Sequence, residues 1–375
     1  MILPPSAGDP RLGGVRILGL PLARRLALAA TSAGYVCVFA ARGAADAAVL
    51  EGTAVRPWPD AVPSGSGPQR LVLVPANVLV QRRWLRAILE MPLEPETLHV
   101  DASLAAVVET KRVEATMTAA HDGTADGVLE RLRAMFTTTE LPADPDGLRS
   151  LSSASEIGGT ESWLLQSLIK RNEGFMSRHV ERRVSLAVTR RLGETSVTPN
   201  AITLISVALG LLGALAFLSP SPAFQLAGAL LFLTHSILDG CDGELARLKF
   251  LESPGGAVLD FWGDNVVHVA VFAALAVEWS WSVGAAWPLA LGAMAITGTL
   301  ASATLMFRHT VEDSALPEAW SGRLAGTLAS RDFIYVVVLL SAFGHARWFL
   351  LVSSVGTPAF ALLALYLAMR RGRIH

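Results

Sequence analysis

The chain has 375 residues, room for two domains, with 52% hydrophobic and 17% charged residues and a mean hydropathy of +0.45. That balance is high for a soluble protein and points to a membrane part joined to a wetter one. A formal net charge of -1 gives no support for a nucleic-acid binder, and two distant cysteines, Cys37 and Cys241, indicate neither a disulfide framework nor a thiolate metal site.

Residues 1–140 read as a soluble α/β domain. The runs Val15–Leu18, Tyr35–Ala40, Leu71–Val74 and Arg112–Met117 have strand composition, and Leu22–Ala33, Gln81–Leu89 and Ala125–Phe136 carry helical periodicity. Their alternation predicts a parallel or mixed sheet with helices on its faces. The N-terminus lacks a basic stretch followed by an apolar core, so no signal peptide is expected. Gly19-Leu20-Pro21-Leu22, followed by Arg24-Arg25 and an Ala-rich helix ending at Gly34, resembles sugar-type nucleotidyltransferases. The resemblance implies a degenerate member. The Gly-rich phosphate loop after the first strand is missing, and the chain's lysines are Lys111, Lys170 and Lys249, none soon after that strand. Asp101, a single acid at a strand end, reads as structural or solvated rather than as a metal ligand.

Residues 141–160, rich in Thr, Ser, Pro, Asp and Gly, read as a linker. Residues 161–197 read as a basic amphipathic juxtamembrane helix, with Lys170, Arg171, Arg178, Arg182, Arg183, Arg190 and Arg191 turned toward anionic headgroups. Residues 198–375 form the membrane domain. Thr198 caps its first helix and Pro199 suits the first helical position. Six spans are expected, at 199–218, 223–239, 257–278, 285–306, 332–345 and 347–369. Trp279, Trp281 and Trp287 fit an aromatic belt at the outer interface. The basic residues outside the spans cluster on one side, including Arg247, Lys249, Arg308, Arg323, Arg331 and Arg370, and the opposite loops hold only Arg347. The positive-inside rule then makes both termini, the α/β domain and the Asp239–Asp264 stretch cytoplasmic, in a multi-pass protein of the cell (inner) membrane.

That stretch, Asp239-Gly240-Cys241-Asp242-Gly243-Glu244-Leu245-Ala246-Arg247 and on to Gly256, Asp260 and Asp264, is flanked by apolar runs. Four uncompensated carboxylates in mid-bilayer would cost on the order of 10 kcal/mol, so a cationic partner is expected. As helix, Asp239 and Asp242 are i,i+3 and Asp260 and Asp264 are i,i+4, so each pair lies on one face. Two such pairs joined by a short turn make an all-oxygen box for hard divalent cations.

The order D-x2-D-G-x2-A-R-x8-G-x3-D-x3-D from Asp239 to Asp264 resembles the signature of the CDP-alcohol phosphotransferases. Some of these, the bifunctional inositol-phosphate enzymes, carry a nucleotidyltransferase-like domain in front. The text from Gly174 to His179 with Arg182-Arg183 resembles their juxtamembrane helix. The resemblance implies an integral membrane enzyme that moves a phosphoalcohol from a CDP-alcohol donor to a hydroxyl acceptor and releases CMP. It implies Asp239, Asp242, Asp260 and Asp264 as ligands for two ions, Mg²⁺ or Mn²⁺, with Asp264 also the general base. Gly243, Ala246, Arg247 and Gly256, with Asn200 and Thr203, would border the nucleotide. A homodimer is implied too. Arg178 and Arg182 have surface electrostatics as their first role and a clamp on an acceptor phosphate as their second.

Neighbouring residues have plainer readings. His235 and His268 read as core histidines bonded to a neighbour. Glu244 points away from the Asp239/Asp242 face and reads as a rim residue. A secondary transporter would use intramembrane acids as proton relays, but no second copy of the acidic pattern occurs. A non-catalytic scaffold leaves the complete carboxylate set without a purpose.

Overall fold

The computed structural model describes residues 1–6, 9–56, 58, 67–169, 181–312 and 333–371. The chain divides into two compact units, Met1–Ser167 and Leu168–His375.

The first unit contains β1 (Ile2–Leu3), β2 (Arg16–Ile17), β3 (Leu20–Pro21), α1 (Leu22–Ala33), β4 (Val38–Ala40), α2 (Ala47–Leu50), β5 (Val55–Arg56), β6 (Gln69–Leu73) and β7 (Val78–Val80). It continues through α3 (Arg82–Glu90), β8 (Thr97–Val100), β9 (Ala106–Thr110), α4 (Val113–Ala120), α5 (Ala125–Arg133), β10 (Thr137–Glu140), β11 (Leu148–Ser150) and α6 (Ile157–Ser167). Seven strands form one sheet in the order β10-β8-β9-β6-β1-β4-β5. Only β9 runs antiparallel to its neighbours β6 and β8. Consecutive buried residues such as Leu71-Val72-Leu73 and Ala106-Val107-Val108 are what a sheet covered on both faces requires. Ile2, Leu73, Leu98 and Val108 pack with Met117, Val128 and Leu132 in one core.

Expectation and structure part company here in instructive places. Arg112–Met117, expected as a strand, is the start of helix α4; Val113, Thr116, Met117 and Ala120 recur at helical spacing and are its buried residues. The β-branched residues looked like a strand, but the period decided. Of Val15–Leu18 only Arg16–Ile17 is a strand, and it pairs with β3 outside the main sheet. The hairpin between them turns at Leu18 and Gly19, with φ of 47° and 82°. Glycine takes such angles freely and leucine does not. Residues 141–160, expected as a linker, carry β11, which pairs antiparallel with β7, and the first turn of α6.

The second unit is helical: α7 (Arg182–Gly193), α8 (Pro199–Ala216), α9 (Pro222–Lys249), α10 (Pro254–Val283), α11 (Trp287–Glu312), α12 (Phe333–Ala342) and α13 (Arg347–Arg371). Five of these, α8, α9, α10, α11 and α13, are long and apolar enough to cross a membrane, so the chain is a multi-pass membrane protein. Six spans were expected; α12 has the apolar composition but only 10 residues, and residues 313–332 before it lie outside the described part.

The caps follow the sequence signals. Thr198 accepts a hydrogen bond from Ala201 N, and Ser253 accepts one from Gly256 N, each ahead of a proline at the first helical position. Helix α9 ends at Phe250 in the left-handed region, φ 58°. It does not stop at 239: its 28 residues run through the acidic stretch and make it about 42 Å long at ~1.5 Å per residue, against a hydrocarbon core of about 30 Å. Helix α8 packs against both α9 and α10. It meets α9 at two glycines; a Cβ on Gly213 would lie 2.8 Å from Gly228 O, and one on Gly228 would lie 2.7 Å from Gly213 O. Phe217, Phe232, Val267, Val271 and Leu275 fill the core between these helices.

Candidate metal and nucleotide site

Helices α9 and α10 bring three of the four signature aspartates together. Asp239, Asp242 and Asp260 each offer a carboxylate oxygen, and these lie within 4.8 Å of one another. Asp239 and Asp242 are buried, 5% and 3% exposed, and Asp260 is half-buried. Three convergent carboxylates with only oxygen to offer suit a hard divalent cation, so the donor set fits Mg²⁺ or Mn²⁺. Thr203 of α8 donates its hydroxyl proton to Asp242 Oδ2, fixing that carboxylate from behind.

Beside the carboxylates opens a cavity of about 230 Å³. Asn200, Thr203, Asp242, Gly243, Ala246, Arg247, Gly256 and Asp260 all line it, so every residue assigned to the nucleotide borders one space. Two glycines make room there. A Cβ on Gly256 would sit 3.0 Å from Asn200 Oδ1 and 2.9 Å from Ser253 Oγ, and one on Gly243 would sit 3.4 Å from an Arg247 guanidinium nitrogen.

Asp264 stands apart from the compact group of three. His235 Nε2 lies 3.2 Å from its Oδ1, and His268 Nδ1 lies 3.9 Å from its Oδ2. Both rings are held by Phe232, which stacks on His235 at 6.1 Å and meets His268 edge-on at 5.5 Å. His235 is 1% exposed, and its Nδ1 has no hydrogen-bond partner among the described residues. The spacing carried this signal: His235 precedes Asp239 by four residues and His268 follows Asp264 by four, so each shares a helix face with one of the signature aspartates.

Glu244 corrects its rim assignment. It does point away from Asp242, but its side chain is 0% exposed. It forms an ion pair with Arg182 and accepts hydrogen bonds from Ser185 Oγ at 2.8 Å and Thr189 Oγ1 at 2.6 Å, all on α7. Arg182 therefore faces a buried carboxylate and is not among the residues lining the cavity. Arg178 lies outside the described residues. Near the C-terminal end of α10 Trp279 is buried against Trp287, and Trp281 is 70% exposed, as an interfacial aromatic would be.

Comparison with known proteins accords with this geometry. The chain is 34% identical over 202 residues to the "Bifunctional IPC transferase and DIPP synthase" of Rubrobacter xylanophilus, covering 54% of this chain and 44% of that protein. It is 37% identical over 150 residues to the protein of the same description from Thermococcus kodakarensis, covering 40% of this chain and 33% of that one. The matches thus span less than half the length of these two relatives. With "Inner membrane protein YnjF" of Escherichia coli K12 the identity is 30% over 184 residues, 46% of this chain and 84% of that protein. Residues 196–369, which contain the aspartates, the glycines and the cavity, match the CDP-alcohol phosphatidyltransferase family, and the chain belongs to that family.

Proposed function

We propose that the protein transfers a phosphoalcohol from a CDP-alcohol to a hydroxyl acceptor, with release of CMP, in inositol-phosphate or phospholipid synthesis. The observation that carries this reading is the convergence of Asp239, Asp242 and Asp260 beside a cavity bordered by the other signature residues. The two relatives above, each described as an IPC transferase and DIPP synthase, favour the inositol-phosphate side.

In this mechanism Asp239, Asp242 and Asp260 hold the divalent site, for two ions of Mg²⁺ or Mn²⁺. A divalent ion held there would supply positive charge against the diphosphate as the phosphoanhydride breaks. Arg247 pairs with a phosphate oxygen, and Asn200, Thr203, Gly243, Ala246 and Gly256 shape the space for the cytidine nucleotide. Asp264 accepts the proton of the attacking hydroxyl as that oxygen bonds to the phosphorus of the phosphoalcohol. The bond from that phosphorus to the bridging oxygen breaks, and CMP leaves with the electron pair. His235 and His268 orient the Asp264 carboxylate for this step. The site and both termini face the cytoplasm, where a cytidine nucleotide is available, and the protein works as a homodimer. The α/β unit takes no part in nucleotidyl transfer.

The test is CMP release from a panel of CDP-alcohols and hydroxyl acceptors in the presence of Mg²⁺, with the product identified by mass. Chelation should abolish release and added Mg²⁺ should restore it. Asp264→Asn should lower the rate by roughly 10²- to 10⁴-fold while Mn²⁺ binding persists. Unchanged release in that variant would remove Asp264 as the base.

A further inference from the structure

An apolar residue at position 244 would dock α7 on α9 at least as well as a carboxylate does. The packing is already there: Val188 and Leu192 of α7 lie against Cys241 and Leu245 of α9, with Ile202 beside them. A fully buried carboxylate is a costly choice, and its best-attested use is to fix one register among several. Glu244 has three donors on a single stripe of α7, Arg182, Ser185 and Thr189, at i, i+3 and i+7. A slide or rotation of either helix would strand the charge. Gly240 lets the Arg182 side chain cross α9, since a Cβ there would sit 3.3 Å from its guanidinium. A second fastening lies one turn on: Lys249 Nζ donates to Leu192 O at 3.2 Å, Thr195 O at 2.5 Å and Val197 O at 3.4 Å. It thereby ties the end of α7 and the turn into α8 to the end of α9.

Between these two fastenings lie Ala246 and Arg247 of the cavity, and Asp242 stands two residues before Glu244, about 200° round the helix. Whatever sets the rotation of this end of α9 sets where the Asp239 and Asp242 oxygens point. We propose that Glu244, through Arg182, Ser185 and Thr189, is a positioning residue for the divalent site, and that the surface helix α7 is its brace. This rests on the metal reading of the three aspartates given above.

Cys241 is a built-in reporter: it is 0% exposed, and its Sγ lies 3.6 Å from Ser185 O beneath α7. In a Cys37→Ser background, maleimide alkylation of Cys241 measures undocking of α7, and Mn²⁺ titration followed by electron paramagnetic resonance measures the metal site directly. Glu244→Gln and Arg182→Met should speed alkylation and weaken Mn²⁺ binding by roughly 10- to 100-fold, with Arg182→Lys recovering part of both. The double variant Glu244→Gln/Arg182→Met, which leaves no buried charge behind, carries the test if either single variant does not fold. Faster alkylation with unchanged Mn²⁺ affinity would make α7 docking purely structural and overturn the proposal. Unchanged alkylation would overturn it from the other side. Parent protein that takes up no Mn²⁺ would remove the metal reading and the positioning role with it, and the alkylation rates would still report whether the clamp holds α7.

Discussion

At the scale of single residues, the chemistry rests on carboxylates whose neighbours assign them different work. Asp242 has a hydroxyl donor in Thr203 and two carboxylate companions; Asp264 has two imidazoles. In the proposed mechanism the first environment gathers negative charge that would hold a cation, and the second orients a proton acceptor. Replacing Thr203 by valine keeps the shape but removes a hydrogen bond to a charged group, which contributes about 1.5–3 kcal/mol. The divalent concentration for half-maximal CMP release should rise on the order of 10-fold in Thr203→Val; an unchanged requirement would mean Asp242 is oriented by other contacts. Spacing picked out the two aspartate pairs, and the family resemblance added the two glycines and Arg247. Neither could divide the aspartates into three plus one, because that depends on which histidines meet Asp264 across α9 and α10. Nor could a helical wheel tell a rim position from a buried one for Glu244. Its burial comes from α7, 55 to 62 residues earlier in the chain.

At the scale of helices, close approach places the site. Gly213 and Gly228 let α8 touch α9 backbone to backbone, and about three turns earlier along α8 Thr203 meets Asp242. Gly213→Ala should cost about 1–3 kcal/mol by overpacking and lower the apparent melting temperature in detergent. Gly255→Ala, where a new Cβ meets nothing within 4 Å, is the control that should leave it unchanged. Equal melting temperatures for the two variants would show that α8 and α9 can part without strain. The helix cap at Thr198 was readable from sequence because capping chemistry is local. The α4 segment misled because β-branched residues are common in strands, and only its four buried positions, one face of a helix, reveal the period. The acidic stretch was read as ending a span, yet a buried face at Asp239, Asp242 and Leu245 allows α9 to continue unbroken to Lys249.

At the scale of the molecule, the turn between α9 and α10 and the start of α8 lie at one end of the helical unit, and the turns after α8 and α10 lie at the other. The cytoplasmic assignment predicts opposite labelling of these ends. In a Cys37→Ser background, a cysteine replacing Glu252 should react with an impermeant maleimide in inverted vesicles only, and one replacing Ala285 in spheroplasts only. The reverse pattern would turn the protein over. The two-unit plan was legible from composition, since an alternating α/β pattern gives way to long apolar runs, but the strands at Ile2–Leu3 and Thr137–Glu140 were not. The first is too short to show a period, and the second, Thr-Thr-Thr-Glu, buries none of its residues. The reach of α9 beyond the hydrocarbon bears on how the protein is made. Asp239 and Asp242 lie ten and seven residues, about 15 and 10 Å, from the helix end, so an overhang of about 12 Å at that end would put Asp242 outside the hydrocarbon and Asp239 just inside its edge, far from the bilayer's midplane. The expected penalty for four acids in lipid largely falls away. Biogenesis then has no need of a counter-ion: chains made in divalent-starved cells should reach the membrane in undiminished amount and be charged afterwards from the aqueous side.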